Sequence, residues 1–237
     1  MDSKGVNYSR TVTVFERKLK LHRHIVGGQW DKIGRLQFDF MVAQGLKPDS
    51  TLLDVGCGAL RGGVHFVRYL NDGNYYGIDI NKGLLKAGKQ ELRDAGLDKT
   101  VHLHRTADFD ASGFGVKFDF GIAMSLITHL AANHILYCFA QMRRVMHKQS
   151  RFYVTFFEVP ELPVPDRGYK QPKAGIVTYF LRDPFHYTRE QVEDFARSAG
   201  LLPSYIGEWG HPRNQRMLAL RPSSDHKFSV RTRLTSN

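Results

Sequence analysis

Asp54, Gly56 and Gly58, within the segment TLLDVGCGALRGG at residues 51–63, are the residues whose types and spacing point most directly to binding chemistry. Alternating glycines let a backbone turn sharply and approach a ligand, and a carboxylate beside them selects that ligand's charge. The dinucleotide fingerprint G-x-G-x-x-G cradles a pyrophosphate at a helix N-terminus. Here Arg61 holds the third glycine position. Asp54 would repel a pyrophosphate and attract the ammonium of a zwitterionic amino-acid moiety. A second acid, Asp79, closes the run Tyr75-Tyr76-Gly77-Ile78-Asp79-Ile80 about 25 residues later, where a second-strand carboxylate accepts both hydroxyls of a ribose.

These residues need a strand, a turn and a helix to hold them. Leu52, Leu53 and Val55 predict a short buried strand, and Val64, Phe66, Val67 and Leu70 recur near helical spacing in a helix starting at Arg61. The pattern resembles the class I S-adenosylmethionine-dependent methyltransferases over residues 31–221: Asp54-x-Gly56-x-Gly58 is similar to their first motif and Asp79 to their ribose-binding acid. Many members have a third glycine where this chain has Leu60. The resemblance implies an α/β, Rossmann-like, seven-stranded, mostly parallel doubly wound sheet with helices on both faces. It also implies S-adenosyl-L-methionine as cofactor, held by Asp54, Gly56, Cys57, Gly58, Arg61, Asp79 and Ile80. In this family an acid after the third strand accepts from the adenine amino group and a neighbouring apolar residue covers the ring; Asp108 and Phe109 match, with Asp110 an equal candidate acceptor.

Along the chain, Val12, Phe15 and Leu19 suit one face of a helix, while residues 11–14 also alternate like a strand. Asp31 reads as the N-cap of a helix closed by Gly45, with Trp30 and Gln37 as pocket candidates or plain packing. Asn81 caps a helix ended by Gly96, and residues 101–104 and 118–124 read as the third and fourth strands. A helix over 131–146 precedes a fifth strand at 151–157. Pro160, Pro163, Pro165 and Pro172 then predict an irregular insertion over residues 159–187, whose aromatics, Tyr187 among them, suggest a lid or substrate wall. Thr188 and Gln191 form a capping box, and residues 201–206 and 216–220 supply two closing strands. The chain divides into an N-terminal helical arm (1–30), the main domain (31–221) and a basic, poorly ordered tail (222–237).

Ligands of open α/β sheets bind beyond the carboxyl ends of the strands. Ser125-Leu126-Ile127-Thr128-His129 follows the fourth strand and would face a transferred methyl group, with Ser125 on the cofactor and His129 as a general base or, alternatively, a cap of the next helix. The Asn-Pro-Pro-Tyr motif of amino-methylating enzymes is missing, and neither cysteine stands where a covalent mechanism needs its nucleophile. The cluster Gly207-Glu208-Trp209-Gly210-His211-Pro212-Arg213 either grips a hydroxyl-rich or anionic substrate through Trp209, His211 and Arg213, or is a solvated turn. Histidine and cysteine spacings match no zinc pattern, so no metal is expected.

A net charge of +11 invites a nucleic-acid reading, yet the excess lies at the ends, in Arg17, Lys18, Lys20 and Arg23, and again in Arg213, Arg216, Arg221, Lys227, Arg231 and Arg233. No apolar run approaches the ~20 residues that span a bilayer, and two cysteines give no disulfide framework, which predicts a reducing cytoplasm. The expectation is an O-directed methyltransferase acting on a small molecule or sugar. An RNA methyltransferase docking through its basic ends, and a catalytically silent cofactor-binding subunit, are the alternatives.

Overall fold

Alternation of side chains along the first strand sets up the two layers of the molecule. The computed structural model describes residues 12–224 apart from 162, 163, 166 and 174, so the tail expected to be disordered lies almost wholly outside the described residues. In β1 (Leu52–Val55) every residue is buried. Successive strand residues point to opposite faces. Leu53 and Val55 therefore join one core, with Ile135 and Phe139 of α6 (Ala132–Val145) and Val192 and Ala196 of α7 (Arg189–Ser198). Leu52 joins the other, with Met41 of α3 (Trp30–Ala43), Phe66 of α4 (Gly63–Tyr69) and Leu85 of α5 (Lys82–Asp94).

The remaining strands are β2 (Tyr75–Asp79), β3 (Val101–Arg105), β4 (Phe118–Ala123), β5 (Met146–Glu158), the short β6 (Tyr169–Lys170), β7 (Val177–Thr178) and β8 (His186–Tyr187), then β9 (Leu201–Gly207) and β10 (Arg216–Pro222). The main sheet runs β3-β2-β1-β4-β5-β10-β9, the seven strands expected. Pairing is parallel from β3 to β5 and antiparallel at β10 and β9. Strand order reverses between β2-β1 and β4, which opens a crevice above the carboxyl ends of these strands.

The insertion is more regular than its prolines suggest. β6 and β7 form a hairpin, and β8 adds an eighth strand to the sheet by pairing with the end of β5. Buried Gln171 holds the hairpin to the domain, its Nε2 donating to the Glu158 carbonyl at 3.3 Å and to Thr178 Oγ1 at 3.1 Å. Helix starts differ by a turn or less from expectation. Gln29, at a left-handed φ of 45°, is the N-cap of α3 in place of Asp31, and α4 begins at Gly63. Asn81 and Thr188 cap as expected, Asn81 Oδ1 accepting from the Gly83 and Leu84 amides.

The N-terminal arm forms α1 (Val14–Lys18) and α2 (His22–Ile25). Val12, Phe15 and Leu19 do not share a buried face: Val12 is buried, while Phe15 is 67% and Leu19 55% exposed. The arm is held by the apolar cluster of Val12 with Ala59, Leu84 and Ala87, and by charge. Glu91 of α5 accepts from His22 Nε2 at 2.7 Å and from Arg23 Nε and Nη2 at 2.9 and 2.7 Å. Burial raises the Glu91 pKa, but the hydrogen bonds from Arg23 and His22 outweigh it and bring it to about 2.

Leu60 packs on helix α5 where Gly88 offers no side chain: a Cβ there would lie 2.5 Å from Leu60 Cγ, and Leu60 is fully buried. Gly88→Ala should destabilise the protein by about 1–3 kcal/mol through overpacking, despite the helix propensity gained, as read from urea unfolding. Unchanged or increased stability would show that Leu60 repacks freely.

Candidate active site

The turn after β1 is built from donors and acceptors rather than side-chain packing. Gly56 and Gly58 have φ of 72° and 54°, and a Cβ on Gly56 would lie 2.9 Å from Leu126 Cδ1. The Gly56 and Cys57 amides donate to the Ile78 carbonyl at 2.8 and 3.1 Å. The Gly58 amide donates to Asp79 Oδ2 at 2.8 Å, and the Asn81 amide to Asp79 Oδ1 at 2.7 Å. Leu60 departs from the glycine pattern in type but not in backbone, since its φ is 64°. The turn thus keeps its left-handed shape at a non-glycine cost that the surrounding core holds in place.

Above this turn lies a cavity of about 720 Å³. Asp54 is at its floor, buried, with its Oδ2 accepting from the Tyr75 hydroxyl at 2.8 Å. Burial pushes the Asp54 pKa up, against the Tyr75 hydrogen bond, to about 7. Burial also raises Asp79, opposed by the two backbone N–H groups it accepts. Each Asp79 oxygen has a second lone pair for a ligand hydroxyl. Ile80, Thr106, Ala107 and Phe109 line the same cavity.

Of the residues singled out in the sequence, the glycine turn, Arg61, Phe109, Ser125, His129, His211 and Arg213 all meet at this cavity. Cys57 also lines it, with its thiol buried and its pKa pushed well up. Trp30, Asp108, Asp110, Tyr187 and Trp209 do not line it. Asp108 is exposed, accepts from Thr106 Oγ1 and the Asp110 amide, and does not line the cavity. Tyr187 is fully buried among Phe180, Phe185 and Phe195, and its hydroxyl donates to the Leu130 carbonyl at 2.7 Å, so it is core rather than substrate wall. Trp209 packs on Phe40 and stacks on His211, a support for the site and not part of its lining.

The structure adds residues that the sequence reading missed. Asp183, in the insertion, lines the cavity and its Oδ1 lies 2.5 Å from His129 Nδ1. Gln215 Oε1 accepts from Ser125 Oγ at 3.0 Å and from Thr155 Oγ1 at 2.8 Å, tying the segment before β10 to the ends of β4 and β5. His24, Ile25, Val26 and Gly27 of the arm form a wall, and Arg61 Nη1 donates to the Val26 carbonyl at 2.8 Å. Gln37 also lines the cavity, whereas Trp30 stays outside it, beneath the Arg23 guanidinium.

Asp54 carries a pH prediction whose sign is fixed by its raised pKa. The folded state binds a proton at pH values where the unfolded chain has lost it, so stability falls as pH rises from about 4 to about 7 and then levels. Asp54→Asn should therefore raise stability at pH 8 by on the order of 1–4 kcal/mol, a gain that shrinks towards pH 4. Denaturant titrations of both proteins across that range measure it, and a gain independent of pH would contradict the assignment.

Comparison with known proteins agrees with this geometry. A family model described as a methyltransferase domain matches residues 52–149, the stretch from β1 into the start of β5. Among solved structures, an S-adenosylmethionine-dependent methyltransferase from Clostridium acetobutylicum is similar at TM-score 0.64 and 12% identity, with 89% of this chain and 100% of that one covered. An amino pentose methyltransferase from Micromonospora echinaspora gives 0.61 and 16%, covering 90% and 98%. Magnesium protoporphyrin IX methyltransferase from Synechocystis gives 0.60 and 13%, covering 88% and 94%. Residues 52–149 match the methyltransferase-domain model, and the chain shares the fold of these S-adenosylmethionine-dependent methyltransferase structures.

Proposed function

We propose that the protein methylates a hydroxyl of a small molecule or sugar, with His129 as general base and Asp183 as the residue that orients it. The observation that carries this reading is the contact between His129 Nδ1 and Asp183 Oδ1 within the cavity. A carboxylate on Nδ1 fixes the proton there and places the lone pair on Nε2, which is the tautomer a base requires. Nothing of this kind is needed for an acceptor that is already a good nucleophile.

The residues present fit S-adenosylmethionine. Asp79 offers acceptor positions for ribose hydroxyls, Ile80 and Phe109 offer apolar surface for a flat ring, and Asp54 offers a carboxylate for an ammonium. When bound, the cofactor supplies a methyl group already activated on a sulfonium. The chain's own residues then have three tasks. Ser125, held by Gln215, and the Ser125 amide, held by Thr155 Oγ1 at 2.7 Å, fix the strand end against which an acceptor would rest. His129 takes the hydroxyl proton as the oxygen attacks. The arm from one side, and Ile176, Asp183 and Pro184 of the insertion from the other, keep water from the reacting atoms.

A small acceptor is favoured over RNA because part of the basic front end is internally paired: Arg23 holds Glu91, and Lys20 lies 2.9 Å from Asp94. A sugar acceptor is in keeping with the amino pentose methyltransferase among the similar structures.

The test is transfer of labelled methyl to a panel of hydroxyl-bearing acceptors. Asp183→Asn and His129→Ala should each lower kcat by roughly 10²-fold on the true acceptor while KM for it changes little, because a base acts in the transition state. Equal turnover in both variants would reassign the pair to structure, and transfer only to amines would overturn the hydroxyl reading.

A further inference from the structure

His211 lines the cavity and carries a buried ring nitrogen that no described residue satisfies. Its side chain is 7% exposed, and Nε2 has no hydrogen-bond partner among the described residues. Its Nδ1 accepts from the Arg213 amide at 3.3 Å, which puts the ring proton on Nε2 and makes that orphan atom a donor. Burial, with Arg61 and Arg213 nearby, lowers the His211 pKa to about 3, so the ring stays neutral. A buried donor without an acceptor is costly and marks a place for a ligand oxygen.

The same turn supplies a cation. Arg213 lines the cavity and donates through Nη2 to the Gly27 carbonyl, with no carboxylate paired to it among the described residues. The turn is held in shape by its own bonds: the Asn214 amide donates to the His211 carbonyl at 3.0 Å, and Trp209 stacks on His211 at 5.4 Å and donates to the Gln215 carbonyl at 3.0 Å. Through Gln215 it is fixed over the ends of β4 and β5, two and three strands along the sheet from β2, which carries Asp79. A rigid neutral donor beside a guanidinium is a recognition device for an oxyanion.

We propose that His211 Nε2–H and the Arg213 guanidinium bind a carboxylate or phosphate carried by the methyl acceptor, so that the substrate is an anionic hydroxy compound. This rests on the reading of the cavity as a methyltransferase site and narrows its substrate class. The same chemistry could serve the carboxylate of the cofactor's amino-acid moiety, and the experiment separates the two.

Protein saturated with S-adenosylhomocysteine is titrated with inorganic phosphate and with the matched probes 3-hydroxybenzoate and 3-hydroxybenzamide. Phosphate should bind measurably, and wild type should prefer the benzoate by roughly tenfold or more. Arg213→Gln and His211→Phe, the latter keeping the stack on Trp209, should each erase both effects, while Arg213→Lys restores part of them. Affinity for S-adenosylhomocysteine alone, measured for each variant, should change by less than about threefold. Equal binding of benzoate and benzamide overturns the proposal, as does failure of phosphate and benzoate to bind up to about 10 mM. A parallel loss of S-adenosylhomocysteine affinity overturns it too, and gives the site to the cofactor. Selective anion binding without methyl transfer to any hydroxyl would sink the functional reading and leave this site standing.

Discussion

One carboxylate, that of Asp79, holds together the part of the structure on which function depends. It stands at the end of β2 and accepts from the Gly58 amide on one oxygen and the Asn81 amide on the other. The first bond ties the glycine turn of β1 to the neighbouring strand, and the second sets the start of α5. Burial makes this arrangement expensive for a charged group, and two charge-assisted hydrogen bonds offset only part of that cost, leaving the Asp79 pKa raised. The result is an acid that is a structural clamp and also lines the cavity.

The walls around that clamp are assembled from distant parts of the chain. Glu91 draws the arm down through His22 and Arg23, and the arm's carbonyls then receive Arg61 and Arg213. The insertion closes the other side, with β8 paired to β5 and the Phe185 amide donating to the Thr128 carbonyl at 2.7 Å. Each wall is held by polar bonds at its ends, so the cavity between them retains a defined shape with few core side chains to fill it. Of the carboxylates lining it, Asp79 accepts two backbone amides, Asp54 accepts from Tyr75 and Asp183 meets His129, while the turn before β10 contributes Arg213 and the neutral donor of His211.

Local chemistry was legible in the sequence where a few adjacent residues decide the outcome. Asn81 and Thr188 cap their helices because a short polar side chain reaches amides two or three residues away. The placement of the glycine turn and of Asp79 at the end of β2 follows for the same reason, and that of His129 from its position after β4; all of them line the cavity. Asp183 could not, because it meets His129 across 54 residues and through an insertion with no periodic pattern. Tyr187 was misjudged because an aromatic in such a segment reads alike whether it faces ligand or core; only its neighbours Phe185 and Phe195 decide. The Leu60 departure mattered less than its residue type suggests, since the core holds its backbone in the glycine-like conformation.

The central claim, that Asp79 holds the turn and receives the cofactor's ribose, is tested most directly by calorimetric titration of S-adenosylhomocysteine into wild type and Asp79→Asn. The amide cannot accept on both sides, so the variant should bind roughly 100-fold more weakly or not at all, while circular dichroism shows it folded. Equal affinity in the two proteins, or binding of NADH in place of S-adenosylhomocysteine, would contradict the account.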